Sequence, residues 1–107
     1  KKLIDSSKPQ VIFHLAAQPL ILDSYEKPYL TYTVNSIGTL NVLETVRETN
    51  SVRSLIGITS DKCYESNYST KGFKEDDKLG GLDPYSSSKV CAEQMVHSYK
   101  NSFFKEK

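Results

Sequence analysis

Five side chains in this 107-residue sequence have the types and spacing for acid–base chemistry. Ser60, Asp61 and Lys62 set a hydroxyl, a carboxylate and an amine in succession, just after the apolar run 55–58. Tyr85 and Lys89 set a phenol and an amine four residues apart. On a helix that is about one turn, so both can face one point. A Tyr and a Lys at this spacing are expected about once by chance in a chain with 7 Tyr and 12 Lys, so the surrounding pattern has to carry the assignment.

That pattern is a helix start. Asp83 suits the N-cap, and Pro84 suits the first helical position, where its missing N–H costs nothing. From there Tyr85, Lys89, Ala92, Val96, Tyr99 and Phe103 recur at spacings of four and three, a single helical stripe whose later members are apolar or aromatic. Tyr85 and Lys89 therefore sit at the N-terminal end of a buried face. An inward lysine is costly unless it is paired or has a task. The alternative is that Lys89 carries its ammonium out along the edge of the stripe. The residues alone leave both open.

The elements that must position these groups come from the apolar pattern. Residues 11–17 form a nearly continuous apolar run, which predicts a strand covered on both faces, as in a parallel sheet. Ala16 and Ala17 at its end are small; they either let a flat ligand approach the backbone or let the next loop pack tightly. His14 reads as a hydrogen-bonded core histidine rather than a catalyst. Residues 18–27 are polar and turn-rich. Pro28 opens one helix over about 28–48, with Val34, Ile37, Leu40, Leu43 and Val46 on its apolar stripe. Gly38 signals close packing. Asn35, one position off the stripe, is either a helix-edge amide or a hydrogen-bonding partner of the neighbouring strand end. Residues 55–58 are the second buried strand, ending at Thr59 and Ser60.

Two buried strands, each followed by a loop and a helix, describe βα units of a parallel sheet. Ligands bind outside the carboxyl ends of such strands. The loops at Gln18 and Ser60 both leave from those ends, so Ser60, Asp61, Lys62 and the start of the last helix converge on one crevice. Ser60-Asp61 also fits a plain cap or Asx-turn. Residues 64–82 read as a long polar loop with solvated charges at 74–78, and Gly80-Gly81 gives it the backbone freedom of a substrate cover.

With 37% hydrophobic and 25% charged residues, the chain suits one compact domain or part of one. A net charge of +1 favours neither nucleic acid nor a membrane surface. No apolar run approaches the ~20 residues that span a bilayer. Cys63 and Cys91 have no metal or redox spacing; without a visible secretory signal they suggest a reducing, cytoplasmic setting. The first seven residues read as the end of a helix, and 103–107 carry no helix-stop signal, which suggests an internal fragment of a longer chain.

Four stretches then carry a resemblance: Leu15-Ala16-Ala17-Gln18, Asn35-Ser36-Ile37-Gly38-Thr39, Thr59-Ser60-Asp61-Lys62-Cys63-Tyr64 and Asp83-Pro84-Tyr85-Ser86-Ser87-Ser88-Lys89. Their order and spacing resemble the extended short-chain dehydrogenase/reductase family of nucleotide-sugar epimerases and dehydratases, over essentially the whole chain. The resemblance implies an α/β fold: a fragment of a Rossmann-like doubly wound parallel sheet, with two central strands and flanking helices. The family's Gly-x-x-Gly-x-x-Gly loop, which brings a pyrophosphate to a helix N-terminus, is absent. Residues 1–107 would then be an internal fragment of a single NAD-binding domain, inactive alone.

The resemblance also implies a chemistry. A sugar-nucleotide 4,6-dehydratase acting on CDP-glucose uses NAD as a transient hydride acceptor. Tyr85 would take the proton from the C4 hydroxyl, with Lys89 and the positive nicotinamide favouring the phenolate. Ser60 would hydrogen-bond the C4 oxygen, Asp61 would be the acid at the departing C6 hydroxyl, and Lys62 the base at C5. Relatives acting on dTDP-glucose carry Thr-Asp-Glu at this corner, so a glutamate stands where Lys62 does. Leu15, Ala16, Ala17, Gln18, Asn35 and Thr59, with Tyr85 and Lys89, would contact the cofactor. A homodimer through the helices about 28–48 and 84–105 is implied, and no metal. An epimerase or reductase of the family would share the Tyr–Lys pair but needs no elimination pair. A non-catalytic nucleotide-binding relative would lack part of the set.

Overall fold

The computed structural model describes residues 1–65 and 72–104. Helix α1 (Lys2–Ser7) ends where Lys8 turns left-handed, at φ 45°, and its N–H donates to the Ile4 carbonyl. Pro9 then prevents continuation. Strands β1 (Val11–His14) and β2 (Ser54–Gly57) pair in parallel, with Val11 opposite Ser54 and His14 opposite Gly57. One more bond, from Ile58 N–H to the His14 carbonyl at 3.0 Å, extends the ladder past the strand ends.

The two-sided cover expected for the strands is not met. Val11 and Phe13 are 48% and 62% exposed, while the alternate residues Ile12 and His14 are half-buried. Side chains alternate across a strand. The covered parity faces the long helices: His14 bonds Thr39, and a Cβ placed at Gly57 would lie 3.9 Å from Val96. No described element covers the other parity.

Helix α2 (Ile21–Glu26) stands where the sequence pattern shows only a polar turn. Gln18 secures its start: its side-chain oxygen accepts from Leu20 N–H at 2.5 Å and its amide donates to the Leu20 carbonyl at 3.0 Å. Six residues are too few for a periodicity to show.

The helix expected over 28–48 is present as α3 (Pro28–Tyr32), a π turn (Thr33–Ile37) and α4 (Gly38–Arg47), continuous in right-handed backbone. A π turn accommodates an extra residue and rotates the faces of the helix beyond it. Asn35 and Ser36 are thereby buried, at 1% and 4% exposure, and Ile37 of the expected apolar stripe is turned out at 46%. Leu43 and Val46 further along remain core residues, at 1% and 6%.

After β2 comes a 3-10 turn (Asp61–Cys63), then the loop 64–82, of which 66–71 lie outside the described residues. The two ends of that loop pair antiparallel, with Tyr64 bridged to Leu79, Glu65 N–H on the Lys78 carbonyl and Gly80 N–H on the Cys63 carbonyl. The long helix α5 (Pro84–Ser102) starts as its cap residues dictate: Asp83 accepts from Ser86 N–H at 2.9 Å and from the Ser86 hydroxyl at 2.5 Å. Helix α5 packs on α4 through Tyr99, whose hydroxyl donates to Glu44, and through Phe103 under the Arg47 guanidinium. Among the described residues no helix is long and apolar enough to cross a membrane.

Candidate active site

The carboxyl ends of β1 and β2 and the first turns of α5 meet at one end of the molecule. Lys89 lies there, only 5% exposed, so its ammonium does not run out to solvent. Its Nζ is 3.5 Å from the Ile58 carbonyl and 6.0 Å from the centre of the Tyr85 ring, itself 8% exposed. No ion pair among the described residues includes Lys89. Burial pushes its pKa below the usual lysine value. A desolvated cation held one helical turn from a phenol is an arrangement that stabilises negative charge on the phenol oxygen.

His14 shares this interior. Its pKa is lowered by burial first and by the Lys89 charge second. Its Nε2 is 3.1 Å from the Thr39 hydroxyl, which itself donates to the Asn35 carbonyl at 2.6 Å. With its proton used, Thr39 is left to accept, which assigns the imidazole proton to Nε2.

Asn35 is the junction of the site. Its Oδ1 accepts from Gln18 N–H at 2.8 Å, and its Nδ2 donates to the Gln18 carbonyl at 3.1 Å and to the Ser88 hydroxyl at 2.9 Å. Of the two sequence readings of Asn35, the bond to the strand-end loop is the one found. Ser88 donates onward to the Tyr85 carbonyl at 2.6 Å, and Ser36 donates to the Ser88 carbonyl at 3.1 Å. Ser88 has no exposed surface, and the motifs of the sequence do not single it out. A signal does exist: Ser88 lies three residues after Tyr85 and four before Ala92, so it falls on the buried stripe, where a hydroxyl requires partners.

The loop after β1 leaves Leu15 and Ala16 exposed at the strand end and Ala17 half-buried. The Gln18 side chain turns away into α3, donating to Thr31 at 2.9 Å. After β2, the Thr59 hydroxyl donates to a carboxylate oxygen of Glu93 on α5. Ser60 caps the 3-10 turn, accepting from Lys62 N–H at 3.2 Å and donating to Asp61 at 3.3 Å.

Asp61 and Lys62 line a cavity of about 310 Å³ together with Asp83 and Ser86 at the start of α5 and with Ile21 and Leu82. Ser60 and Asp61 line a neighbouring cavity with Glu93 and Cys63. Tyr85 and Lys89 line neither of these two. The structure thus brings Asp61 and Lys62 together with the start of α5, leaves Ser60 in the neighbouring cavity, and sets the Tyr85–Lys89 pair outside both, with Lys89 against Ile58 just past the end of β2.

A family model described as GDP-mannose 4,6 dehydratase matches residues 1–104. CDP-glucose 4,6-dehydratase of Salmonella typhimurium is 47% identical over 97 residues, covering 91% of this chain and 27% of that protein. UDP-glucose 4-epimerase of Mycolicibacterium smegmatis is 32% identical over 101 residues, covering 94% of this chain and 32% of that protein. Among solved structures, dTDP-glucose 4,6-dehydratase of Bacillus anthracis in complex with NAD superposes with a TM-score of 0.80 at 29% identity, covering 96% of this chain and 30% of that one. The chain therefore spans about a third or less of the length of these relatives. Together with the two-stranded parallel sheet and its flanking helices, these matches show that the chain belongs to the GDP-mannose 4,6 dehydratase family, within the extended short-chain dehydrogenase/reductases and their Rossmann fold.

Proposed function

We propose that this chain carries the acid–base centre of a sugar-nucleotide 4,6-dehydratase that converts CDP-glucose to its 4-keto-6-deoxy product and water. The single observation behind this reading is that Asp61 and Lys62 line one cavity with Asp83 and Ser86 at the start of α5, the helix that carries Tyr85 and Lys89. The Salmonella relative, at 47% identity, supports the nucleotide and the reaction.

The residues fit a dinucleotide. The exposed Leu15 and Ala16, with the small Ala17, leave the backbone open at the end of β1. Lys89 offers an ammonium that no carboxylate among the described residues neutralises. Leu15, Ala16, Ala17, the Gln18 and Thr59 backbones, Tyr85 and Lys89 would hold NAD, with Asn35 fixing the Gln18 backbone. Bound there, NAD would supply a transient hydride acceptor for C4 and the hydride source for C6.

The side chains move the protons. Tyr85 takes the C4 hydroxyl proton as the C4 hydride leaves, and Ser60 hydrogen-bonds the C4 oxygen. The resulting ketone acidifies C5–H. Lys62 takes that proton while Asp61 protonates the C6 hydroxyl, which departs as water; as the hydride reaches C6, the Lys62 ammonium returns the proton to C5, and the proton gained by Tyr85 is passed through solvent to restore Asp61. A 4-epimerase would use Tyr85 and Lys89 without the elimination, a reading to which the Mycolicibacterium match lends support.

Residues 1–107 then form an internal part of one NAD-binding domain, active only within its longer chain and cytoplasmic in keeping with two unpaired thiols. Exposed Tyr29, Leu30, Ile37 and Phe103 give the helices about 28–48 and 84–105 the apolar surface for a homodimer; residue 105 lies outside the described residues. The test is incubation of the full-length protein with CDP-glucose. A 4-keto-6-deoxy sugar nucleotide is expected; an epimer, or no keto product, rejects the reading.

A further inference from the structure

A single turn past Lys89, α5 carries the half-buried carboxylate of Glu93. Nothing in the dehydration chemistry uses it. Its carboxylate nevertheless accepts the Thr59 hydroxyl proton and faces the cavity that Ser60 and Asp61 line. Its charge is felt by the neighbours: burial first, and Glu93 second, push the Cys63 thiol up.

The spacing along the chain gives this contact its meaning. The sheet ladder ends at Ile58, whose N–H bonds the His14 carbonyl at 3.0 Å. The Ile58 carbonyl meets Lys89, the Thr59 hydroxyl meets Glu93, and the Ser60 hydroxyl already belongs to the next turn. Two successive residues are therefore held by two side chains of α5 one helical turn apart. A carboxylate acceptor makes the second hold a charge-assisted bond, about twice as strong as a neutral one. The path from β2 to Asp61 has no other described side-chain tie to α5.

We infer that Glu93 is a positioning residue: through Thr59 it fixes the turn that carries Asp61 and Lys62 at a set distance from the first turns of α5. The catalytic sense of this inference rests on the reading of Asp61 and Lys62 given above; the positional sense does not.

The experiment uses the full-length protein as wild type, Thr59→Val, Thr59→Ser and Glu93→Gln. The first readout is hydrogen–deuterium exchange of the amides at 60–63 against those of α5. In Thr59→Val, exchange at 60–63 is expected to rise about tenfold with α5 unchanged, and in Thr59→Ser to return to wild type. Exchange that is unchanged in Thr59→Val, or that rises equally throughout α5, overturns the inference. The second readout is turnover of CDP-glucose. Thr59→Val is expected to lower kcat about tenfold with KM held, because the reacting groups are misplaced rather than the binding surface removed. A loss confined to KM overturns the catalytic sense. If Thr59→Val does not fold, Glu93→Gln, which keeps an acceptor oxygen but removes the charge, decides by the same two readouts with a smaller increase at 60–63. If wild type does not dehydrate CDP-glucose, the proposed substrate fails while the exchange measurement still judges the tie.

Discussion

The amide of Asn35 and the hydroxyl of Ser88 meet at 2.9 Å, both side chains buried, and join the π turn to the helix that carries Tyr85 and Lys89. Ser88 is a donor to the Tyr85 carbonyl at the same time. Removing its oxygen leaves a buried Asn35 N–H without that partner, at a cost of about 1–3 kcal/mol. Ser88→Ala should therefore destabilise the full-length protein by about 2 kcal/mol in urea unfolding, whereas Ser87→Ala, at the neighbouring half-buried position, would cost little. A stability change for Ser88→Ala within about 0.5 kcal/mol would deny the junction its structural weight.

Lys89 presents the opposite case, a residue the fold would be better off without. Its ammonium is buried with no carboxylate partner among the described residues, and burial depresses its pKa. The unfolded chain therefore binds more protons between the depressed pKa and the ordinary lysine value of 10.5. Stability contributed through this group rises with pH across that window, and the full cost of the buried charge applies below it. Lys89→Met is expected to unfold at higher denaturant, by about 1 kcal/mol near neutral pH, while turnover of CDP-glucose falls by at least about a hundredfold. A variant that is both less stable and still active would contradict this assignment.

How far these positions can be read in advance depends on how local their causes are. Asp83 and Pro84 announce α5 because capping is chemistry among neighbours, and the bonds from Asp83 to Ser86 are all it needs. The π turn is different. Asn35 is drawn inward by partners 17 and 53 residues away, so a periodicity measured along 28–48 places Ile37 in the core when it is 46% exposed. Helix α2 rests on the bonds of a single Gln18 to Leu20, which composition cannot show. The strands are apolar at both parities, the mark of cover on two faces, yet described helices cover one. The corner Ser60-Asp61-Lys62 is legible in its placement because an apolar run that ends in polar residues locates a strand's carboxyl end. Its tie to α5 is not, since Glu93 reads as one more surface carboxylate.

His14 gives a second pH dependence, at lower pH. Its pKa is depressed below 6.5 by burial and by Lys89. The folded state keeps it neutral where the unfolded chain takes up a proton, so stability is complete above 6.5 and declines as pH falls toward the depressed value. His14→Gln should flatten this part of the stability profile, and Lys89→Met should shift it to less acid pH by removing the opposing charge. Unfolding midpoints between about pH 5 and 7 measure both effects. An unaltered slope in His14→Gln would mean that another group titrates there.

Gly81 sets how close the loop before α5 approaches the site. A Cβ at this position would lie 2.3 Å from Ser87 N and 2.4 Å from the Ser86 carbonyl carbon, both backbone atoms of the first turn of α5. Backbone cannot swing aside as a long side chain would, so the loop itself must move. That loop supplies Gly80, Leu82 and Asp83 to the cavity of Asp61 and Lys62. Gly81→Ala should therefore cost about 1–3 kcal/mol from the overlap and displace one wall of the cavity. In the full-length protein the displacement is expected as a KM for CDP-glucose raised about tenfold, together with a lower kcat, because both contact and placement are lost. Gly80→Ala is the milder comparison: its Cβ would come nearest to Glu65, at 3.3 Å from its Cβ and 3.6 Å from its Cα, a contact relieved by a shift of a few tenths of an ångström, and should cost clearly less than Gly81→Ala. Equal behaviour of the two variants would show that the approach of this loop to α5 does not shape the substrate cavity.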